Sequence, residues 1–229
     1  MDNGSLHELL ADETGMKTRI RTLLHERDRR FLPPENLRKS AVLIPLIWEK
    51  GEPQIIVTKR SMDVEHHKGE ISFPGGRAEE CDGSHIQTAL REAQEEIALD
   101  PEDVEVLGML DDHISILGYH ITPVVGAVPY PYEFRINSEA ETLLKVSLRY
   151  SLRNDVWMAE NSTFMGRSLN IYFLEIKGGV VWGATARMLK HFVDLIAGHP
   201  RAVTRVSRMA RGWVEDLLSK QNQYRDVKR

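Results

Sequence analysis

The sequence predicts an α/β (α+β) protein in which short strands surround one well-marked helix. Two β-rich runs, 41–48 and 54–58, are joined by a segment of turn composition, which indicates a pair of adjacent strands. A helical pattern follows over 85–98, and further strand-like runs lie at 104–110 and 120–128. Strands interrupted by a helix in this order are typical of a mixed α/β or α+β domain.

Two charged segments flank this domain, and the pattern predicts a helix in each. Residues 1–38 form an N-terminal helical extension that packs on the main body, and the domain itself occupies 39–199. The apolar residues that predict the first helix are Met16, Ile20, Leu23 and Leu24. Residues 200–229 form a basic C-terminal helical extension, in which Arg201, Arg205 and Arg208 have helical spacing.

The second half of the domain gives two clear signals. Two apolar runs within 170–183 flank Lys177-Gly178-Gly179, which predicts a hairpin. Residues 184–198 then form an amphipathic pattern that ends at Gly198.

Composition excludes several classes of protein. The 229 residues are 41% hydrophobic and 28% charged, which excludes a disordered chain. A formal net charge of -4 provides no global field for nucleic acid or an anionic membrane, so we expect neither as a partner. Cys81 is the single cysteine, which excludes an intramolecular disulfide, and we expect a cytoplasmic protein.

The predicted helix over 85–98 carries the candidate chemistry. Ser84 followed by Gln87 is a capping-box signature, which makes His85 the first helical residue. The core stripe consists of Ile86, Ala89, Leu90, Ala93 and Ile97. Glu92 and Glu96 project together from one shoulder of this helix, where their hard oxygen ligands suit Mg²⁺ or Mn²⁺. The glutamates alone also fit an ordinary acidic surface helix.

The segment before the helix favours the metal site. In residues 72–76 (SFPGG), Gly75 and Gly76 let the backbone approach an ion or a phosphate that a β-carbon would block. Together with the run REAQEE over 91–96, this segment closely resembles the Nudix box, the loop-helix-loop signature of the Nudix family. The resemblance implies an α/β/α sandwich around a mixed sheet.

The same resemblance assigns roles to the residues of the box. It implies that Glu92, Glu95 and Glu96 hold a divalent metal, Mg²⁺ or Mn²⁺, against a pyrophosphate, with the carbonyl of Gly76 as a further ligand. The helix geometry independently favours Glu92 and Glu96 as the principal ligands. Arg91 matches the box arginine, which orients a glutamate, and its i,i+4 reach to Glu95 agrees with that role.

Two positions depart from the box. Asp82 stands at the early acidic position in place of glutamate, and eight residues rather than seven separate it from Arg91. Ala98 stands at the position of the box glycine. We expect the metal ligands on the helix to be unaffected by an extra loop residue, while the role of Asp82 stays open.

A narrower resemblance lies upstream of the box. The segments 57–61 (VTKRS) and 69–76 (GEISFPGG) resemble a motif of the coenzyme A diphosphatase subgroup of Nudix enzymes. Further matches extend the similarity over residues 41–197. Glu65 stands where the subgroup has an arginine, which reverses the charge at a position near an expected anionic ligand.

The subgroup resemblance implies metal-dependent attack of water on a P–O–P linkage, which would split coenzyme A into 3′,5′-ADP and 4′-phosphopantetheine. A carboxylate must accept the proton, and the candidates are Glu95 and Glu139. Arg60 fits a role in binding substrate phosphate, and a surface salt bridge is the alternative. Gly75 is the second expected contact for the substrate.

Three other hypotheses stay open at this point. Glu65 motivates a Nudix hydrolase for another nucleoside diphosphate derivative, such as ADP-ribose or a dinucleotide. A catalytically silent Nudix module would bind a nucleotide without turnover, although the intact glutamates argue against it. An enzyme acting on RNA would use the basic C-terminal segment, against the acidic net charge. The sequence leaves the oligomeric state open, with a homodimer as the expectation.

Overall fold

The computed structural model describes residues 8–33, 37–63, 68–115, 118–164 and 167–206. Its elements, numbered here in chain order, are α1 (Glu13–His25), β1 (Arg38–Glu49), β2 (Glu52–Arg60), β3 (Ile71–Ser72), β4 (Gly75–Arg77), α2 (His85–Ile97), a 3₁₀ turn (Pro101–Asp103), β5 (Glu105–Met109), β6 (His113–Ile114), β7 (Tyr119–Ala127), β8 (Ala140–Ser147), α3 (Leu148–Ser151), β9 (Trp157–Phe164), β10 (Arg167–Ile176), β11 (Gly179–Trp182), α4 (Gly183–Ala197) and β12 (Thr204–Arg205).

The larger sheet is mixed and carries the candidate site. Within the described residues it contains eight strands along the path β3-β2-β1-β7-β5, with β4 paired to β1, β6 to β7 and β8 to β2. Strands β1 and β7 run parallel, whereas β1 and β2 form the antiparallel hairpin that the sequence predicts. The predicted mixed α/β fold class is therefore confirmed.

A split between β1 and β2 opens the middle of this sheet. The two strands pair from the turn at Glu49–Glu52 as far as Leu46–Ile55, and beyond that pair they diverge. The chain over 71–77 fills the gap, because β3 pairs with β2 at Ser72–Thr58 and β4 pairs with β1 at Gly75–Val42. The backbone amide of Leu43 also donates to the carbonyl of Pro74 at 2.8 Å. The two glycines of the motif thus lie inside the sheet.

Apolar cores cover both faces of the larger sheet. On one face, the α2 residues Ala89, Ala93 and Ile97 pack against Leu43 and Ile56. On the other face, α1, α4 and a second sheet form the larger core. This arrangement is the layered α/β/α packing that the family resemblance implies, with a second sheet added to one layer.

The two long helices that flank this larger core begin and end near the expected residues. Helix α1 buries Met16, Ile20 and Leu24, and Asp12 caps its first turn by accepting from the amide of Gly15 at 3.0 Å. Helix α4 ends at Gly198, which has the left-handed conformation expected of a C-terminal glycine. The boundaries of the proposed extensions remain predictions.

The second sheet contains the main surprise of the fold. Within the described residues it has the order β11-β10-β9-β12, and the predicted hairpin over 170–183 is the β10–β11 pair. Strand β9 was not predicted, because four consecutive polar residues, 160–163, interrupt its apolar pattern.

The sequence predicts a helix for the basic C-terminal segment, and this prediction is wrong for residues 201–206, the part that the structure describes. Arg205 lies in β12, which pairs with β9, and its guanidinium donates to Asn170. Arg201 is buried, and its amide donates to Asp194 at 2.7 Å. Pairing with an existing sheet edge satisfies this backbone in place of helical bonds. Residues 207–229, including Arg208, lie outside the described residues.

No helix in the described part of the chain is long and apolar enough to cross a membrane.

Candidate active site

Helix α2 begins where the capping box predicts. The hydroxyl of Ser84 accepts from the amide of Gln87 at 3.2 Å, and the helix runs from His85 to Ile97. It ends at Ala98, whose φ of 53° is left-handed. Because an L-residue in this conformation costs about 1 kcal/mol relative to glycine, the preference of the box for glycine at this position has a physical reason.

Glu92 lies directly over Gly76. A β-carbon at position 76 would overlap the Glu92 carboxylate, so any larger residue there would force that carboxylate to move. Burial raises the pKa of Glu92. The carboxylate and the glycine backbone therefore face each other across a narrow gap.

Glu96 is the most buried acid of the helix. Its side chain is 11% exposed, and the backbone amide of Gly75 donates to its carboxylate. Burial raises the pKa of Glu96 to about 7. Gly75 itself has no room for a side chain, because a β-carbon there would overlap the backbone of Ala41 and Val42.

The oxygen ligands around Gly75 and Gly76 fit a hard divalent cation. Glu92 and Glu96 present carboxylate oxygens on one side of α2, one turn apart, above a backbone that a β-carbon would fill. No group of three or more His, Cys, Asp and Glu side chains is arranged as a metal cage in the described ranges. Arginine side chains contact both carboxylates: Arg60 contacts Glu96, and Arg91 contacts Glu92.

Arg91 ties α2 to the loop that precedes it. Its Nε and Nη2 each donate to Asp82 at 3.1 Å, and Nη2 also donates to the carbonyl of Arg77 at 3.0 Å. The same guanidinium lies 3.0 Å from Oε1 of Glu92 and 3.1 Å from Oε1 of Glu95. The paired bonds from Arg91 lower the pKa of Asp82 to about 2.

Glu95 occupies a different environment from Glu92 and Glu96. Its side chain is 57% exposed and turns toward Arg91. It thus lies round the helix from the two carboxylates that face the glycines, as the helical spacing predicts.

Arg60 and Glu139 meet beside Glu96. Arg60 ends β2, and its guanidinium lies 3.9 Å from Oε1 of Glu96 and 3.1 Å from Oε2 of Glu139. The backbone joins the same two segments, because the amide of Ser61 donates to the carbonyl of Glu139 at 2.7 Å. The structure therefore brings Glu139 to the Glu96 side of the helix and not to the Glu95 side.

Comparison with known proteins identifies the family. A family model described as NUDIX domain matches residues 37–145. The Nudix hydrolase NudL of Shigella flexneri serotype 5b (strain 8401) is 34% identical over 168 residues, which cover 73% of this chain and 87% of that protein. NudL of Pectobacterium atrosepticum is 35% identical over 169 residues, which cover 73% of this chain and 88% of that protein.

The chain belongs to the Nudix hydrolase family. It is therefore an enzyme of the pyrophosphohydrolase class, and Nudix hydrolases need divalent metal ions. Among solved structures, a Nudix hydrolase from Nitrosomonas europaea is 15% identical, matches 76% of this chain and 80% of its own, and has a TM-score of 0.48.

Two residues of this Nudix site were not assigned by the sequence. Asp82 proves to be the partner of Arg91, and the only signal was its place at the acidic position of the box. Asn137 joins the Glu139 loop to the end of α2: its Nδ2 donates to the carbonyl of Glu95 at 3.2 Å, and its Oδ1 accepts from the amide of Glu139 at 2.9 Å. The spacing Asn-x-Glu fits an Asx turn, yet nothing local indicates the contact with the helix.

Proposed function

We propose that this Nudix hydrolase cleaves the pyrophosphate bond of coenzyme A or its derivatives, giving 3′,5′-ADP and 4′-phosphopantetheine. The observation that carries the proposal is the upstream motif over 57–61 and 69–76, which resembles that of the coenzyme A diphosphatase subgroup. Its placement is consistent with that role, because Arg60 and Gly75 from this motif both contact Glu96. The substrate is a small nucleotide, without a nucleic-acid or membrane partner, and the homodimer remains a prediction.

We assign the metal site to Glu92, Glu96 and the carbonyl of Gly76. When bound there, Mg²⁺ or Mn²⁺ would neutralise the bridging phosphates and lower the pKa of an attacking water. Gly75 and Gly76 keep the backbone close enough for a phosphate oxygen to reach the same side of α2. Arg91 positions Glu92 by holding it to Asp82 and the carbonyl of Arg77.

For the general base we favour Glu139 over Glu95. Glu139 is 54% exposed, so it can reach an attacking water, and it lies on the Glu96 side of the site. Glu95 is turned toward Arg91 on the other side. Glu139→Gln should lower kcat more than Glu95→Gln, measured across the pH range at saturating metal. The opposite ranking would return the role to Glu95.

The nearest alternative is a Nudix hydrolase for ADP-ribose or a dinucleotide. It is favoured by Glu65, which places a negative charge where the subgroup has an arginine. Glu65 lies outside the described residues.

Ranking the substrates tests the proposal directly. Coenzyme A, ADP-ribose and NADH are supplied at equal concentration with Mg²⁺ or Mn²⁺, and the products are separated by chromatography. We expect coenzyme A to have the highest kcat/KM, with 3′,5′-ADP as a product, and coenzyme A in last place would refute the proposal. Glu65→Arg is the matched variant: it should raise kcat/KM for coenzyme A and leave that for ADP-ribose unchanged.

A further inference from the structure

The guanidinium of Arg60 is held by two acids that do not satisfy it fully. It bridges Glu96 and Glu139, at 3.9 and 3.1 Å. Its Nε is buried and makes no hydrogen bond within the described part of the chain. A buried donor without a partner costs about 1–3 kcal/mol, which favours any other position in which this Nε makes a hydrogen bond.

We propose that Arg60 is an exchangeable counter-cation of the metal site: it neutralises Glu96 and Glu139 in the metal-free protein and moves to a substrate phosphate when a divalent ion binds. The inference rests on the proposed assignment of Glu96 as a metal ligand and is independent of which nucleotide is cleaved. It goes beyond a simple phosphate contact, because the same side chain acts before and after substrate arrives.

Charge is the reason for the exchange. A buried carboxylate without a counterion is costly, so a nearby guanidinium stabilises Glu96 when no metal is bound. A divalent ion at the same carboxylate would repel that guanidinium at a separation of a few ångströms. The fork of Arg60 would then be free to bind two phosphate oxygens in the bidentate geometry that arginine favours.

The position of Arg60 in the chain allows the movement. It is the last residue of β2, and its backbone is fixed by hydrogen bonds from its amide to Glu70 and from the amide of Gly69 to its carbonyl. The movement therefore involves side-chain torsions only, which change quickly for a partly exposed residue.

Binding of Mn²⁺ without nucleotide gives a readout that is independent of turnover. Free Mn²⁺ is measured by electron paramagnetic resonance at pH 8.5, where protons compete less for Glu96. Arg60→Gln should bind Mn²⁺ about three- to tenfold more tightly than wild type, because the competing charge is gone. Arg60→Lys keeps the charge and should stay near wild type. The control is Arg153→Gln, whose exposed partner is Asp155, and it should leave Mn²⁺ binding unchanged.

Two results would overturn the proposal. One is unchanged or weaker Mn²⁺ binding by Arg60→Gln with a native circular dichroism spectrum, and the other is Arg60→Lys binding as tightly as Arg60→Gln. At saturating metal, Arg60→Gln should also raise KM at least about threefold, because the phosphate loses its cation. An unchanged KM would contradict the second half of the exchange.

The proposed metal site can fail separately. If the Glu96→Gln variant binds Mn²⁺ as tightly as the wild type does, Glu96 is not a ligand and the metal assignment is wrong. If binding depends on Glu96 and Arg60→Gln does not change it, only the exchange is refuted.

Discussion

Arg91 and Arg60 contact neighbouring carboxylates of α2, Glu92 and Glu96, but their other partners differ. Arg91 makes two bonds to Asp82, one to a backbone carbonyl and contacts to three glutamates, all from residues near it in the chain. Arg60 contacts Glu96 and Glu139, and the latter lies 79 positions away. The contacts of Arg91 fix the helix to the loop that precedes it. The contacts of Arg60 hold together charged groups that, in our proposal, rearrange when a metal ion binds.

The difference indicates that some residues of the site contribute mainly to stability and others mainly to activity. An arginine whose donors are all bonded, with a buried acid among its partners, stabilises the fold. Removing one partner leaves a buried group unpaired and lowers the free energy of unfolding. A buried acid whose pKa is raised lowers the stability of the fold when it is ionised. Functional sites retain such destabilising groups. Variants on the Arg60 side should therefore lose activity more than stability, and variants on the Arg91 side the reverse.

The largest expected effect is that of Glu96→Gln. Loss of a metal ligand should lower kcat/KM on the order of 10³-fold, measured by product chromatography with saturating Mg²⁺. Because the folded pKa of Glu96 is raised to about 7, its ionised form destabilises the fold as pH rises from about 4.5 to 7. The variant should therefore unfold in urea with a free energy about 1–2 kcal/mol higher than wild type at pH 8, and equal to it near pH 4.5.

Glu133→Gln is the matched control, because this side chain is 92% exposed. It should change neither activity nor stability. If Glu96→Gln retained more than a tenth of wild-type activity, Glu96 would be dispensable. That result would contradict the expectation that variants on the Arg60 side lose activity more than stability.

The contacts on the Arg91 side could largely be predicted from the sequence, and those on the Arg60 side could not. The capping box at Ser84 and the apolar stripe place Glu92 and Glu96 on one shoulder of α2, because helical geometry converts spacing into direction. Asp82 could be named but not assigned, since its bond to Arg91 depends on the path of a loop. The Arg60–Glu139 contact joins β2 to the start of β8, and no local pattern encodes the pairing of those strands.

A smaller effect is expected for Asn137→Ala on the Arg60 side. The variant removes both side-chain hydrogen bonds of Asn137, while the backbone bonds from the amides of Asn137 and Arg135 to the end of α2 remain. Glu139 should then be less well placed relative to Glu96. We expect kcat to fall about tenfold, because displacement by an ångström costs this much or more, with Mn²⁺ binding unchanged. The free energy of unfolding should fall by about 1 kcal/mol.

Asn154→Ala is the control for that variant, because Asn154 also braces a loop by accepting from the amide of Ala202 at 3.3 Å. It should lower stability without lowering kcat. If both asparagine variants lower kcat equally, Asn137 acts through general stability and not through Glu139.

The second sheet shows where sequence patterns fail for the fold. Strand β9 pairs with β10 along its whole length although 160–163 are polar, because edge and solvent-facing positions of a strand need backbone pairing more than apolar side chains. The same pairing captures Arg205 in β12. Helical spacing of three arginines carries no such information about a sheet edge that is 46 positions earlier in the chain.

The smallest effect is that of Asp82→Asn, which tests the Arg91 side. The folded pKa of Asp82 is lowered to about 2, so its charge stabilises the fold above about pH 4, and this stabilisation is lost as pH falls from about 4 to 2. We expect the variant to lose roughly 1 kcal/mol at pH 7, allowing for screening by solvent, and to lower kcat by only about threefold. Urea unfolding at pH 7, 5 and 3 measures the gap, which should narrow only at pH 3. Asp155→Asn removes an equal charge from an exposed arginine pair and should show almost no gap at any pH. A gap for Asp82→Asn that stays constant down to pH 3 would mean that the shape of the loop, and not the charge of Asp82, fixes Arg91.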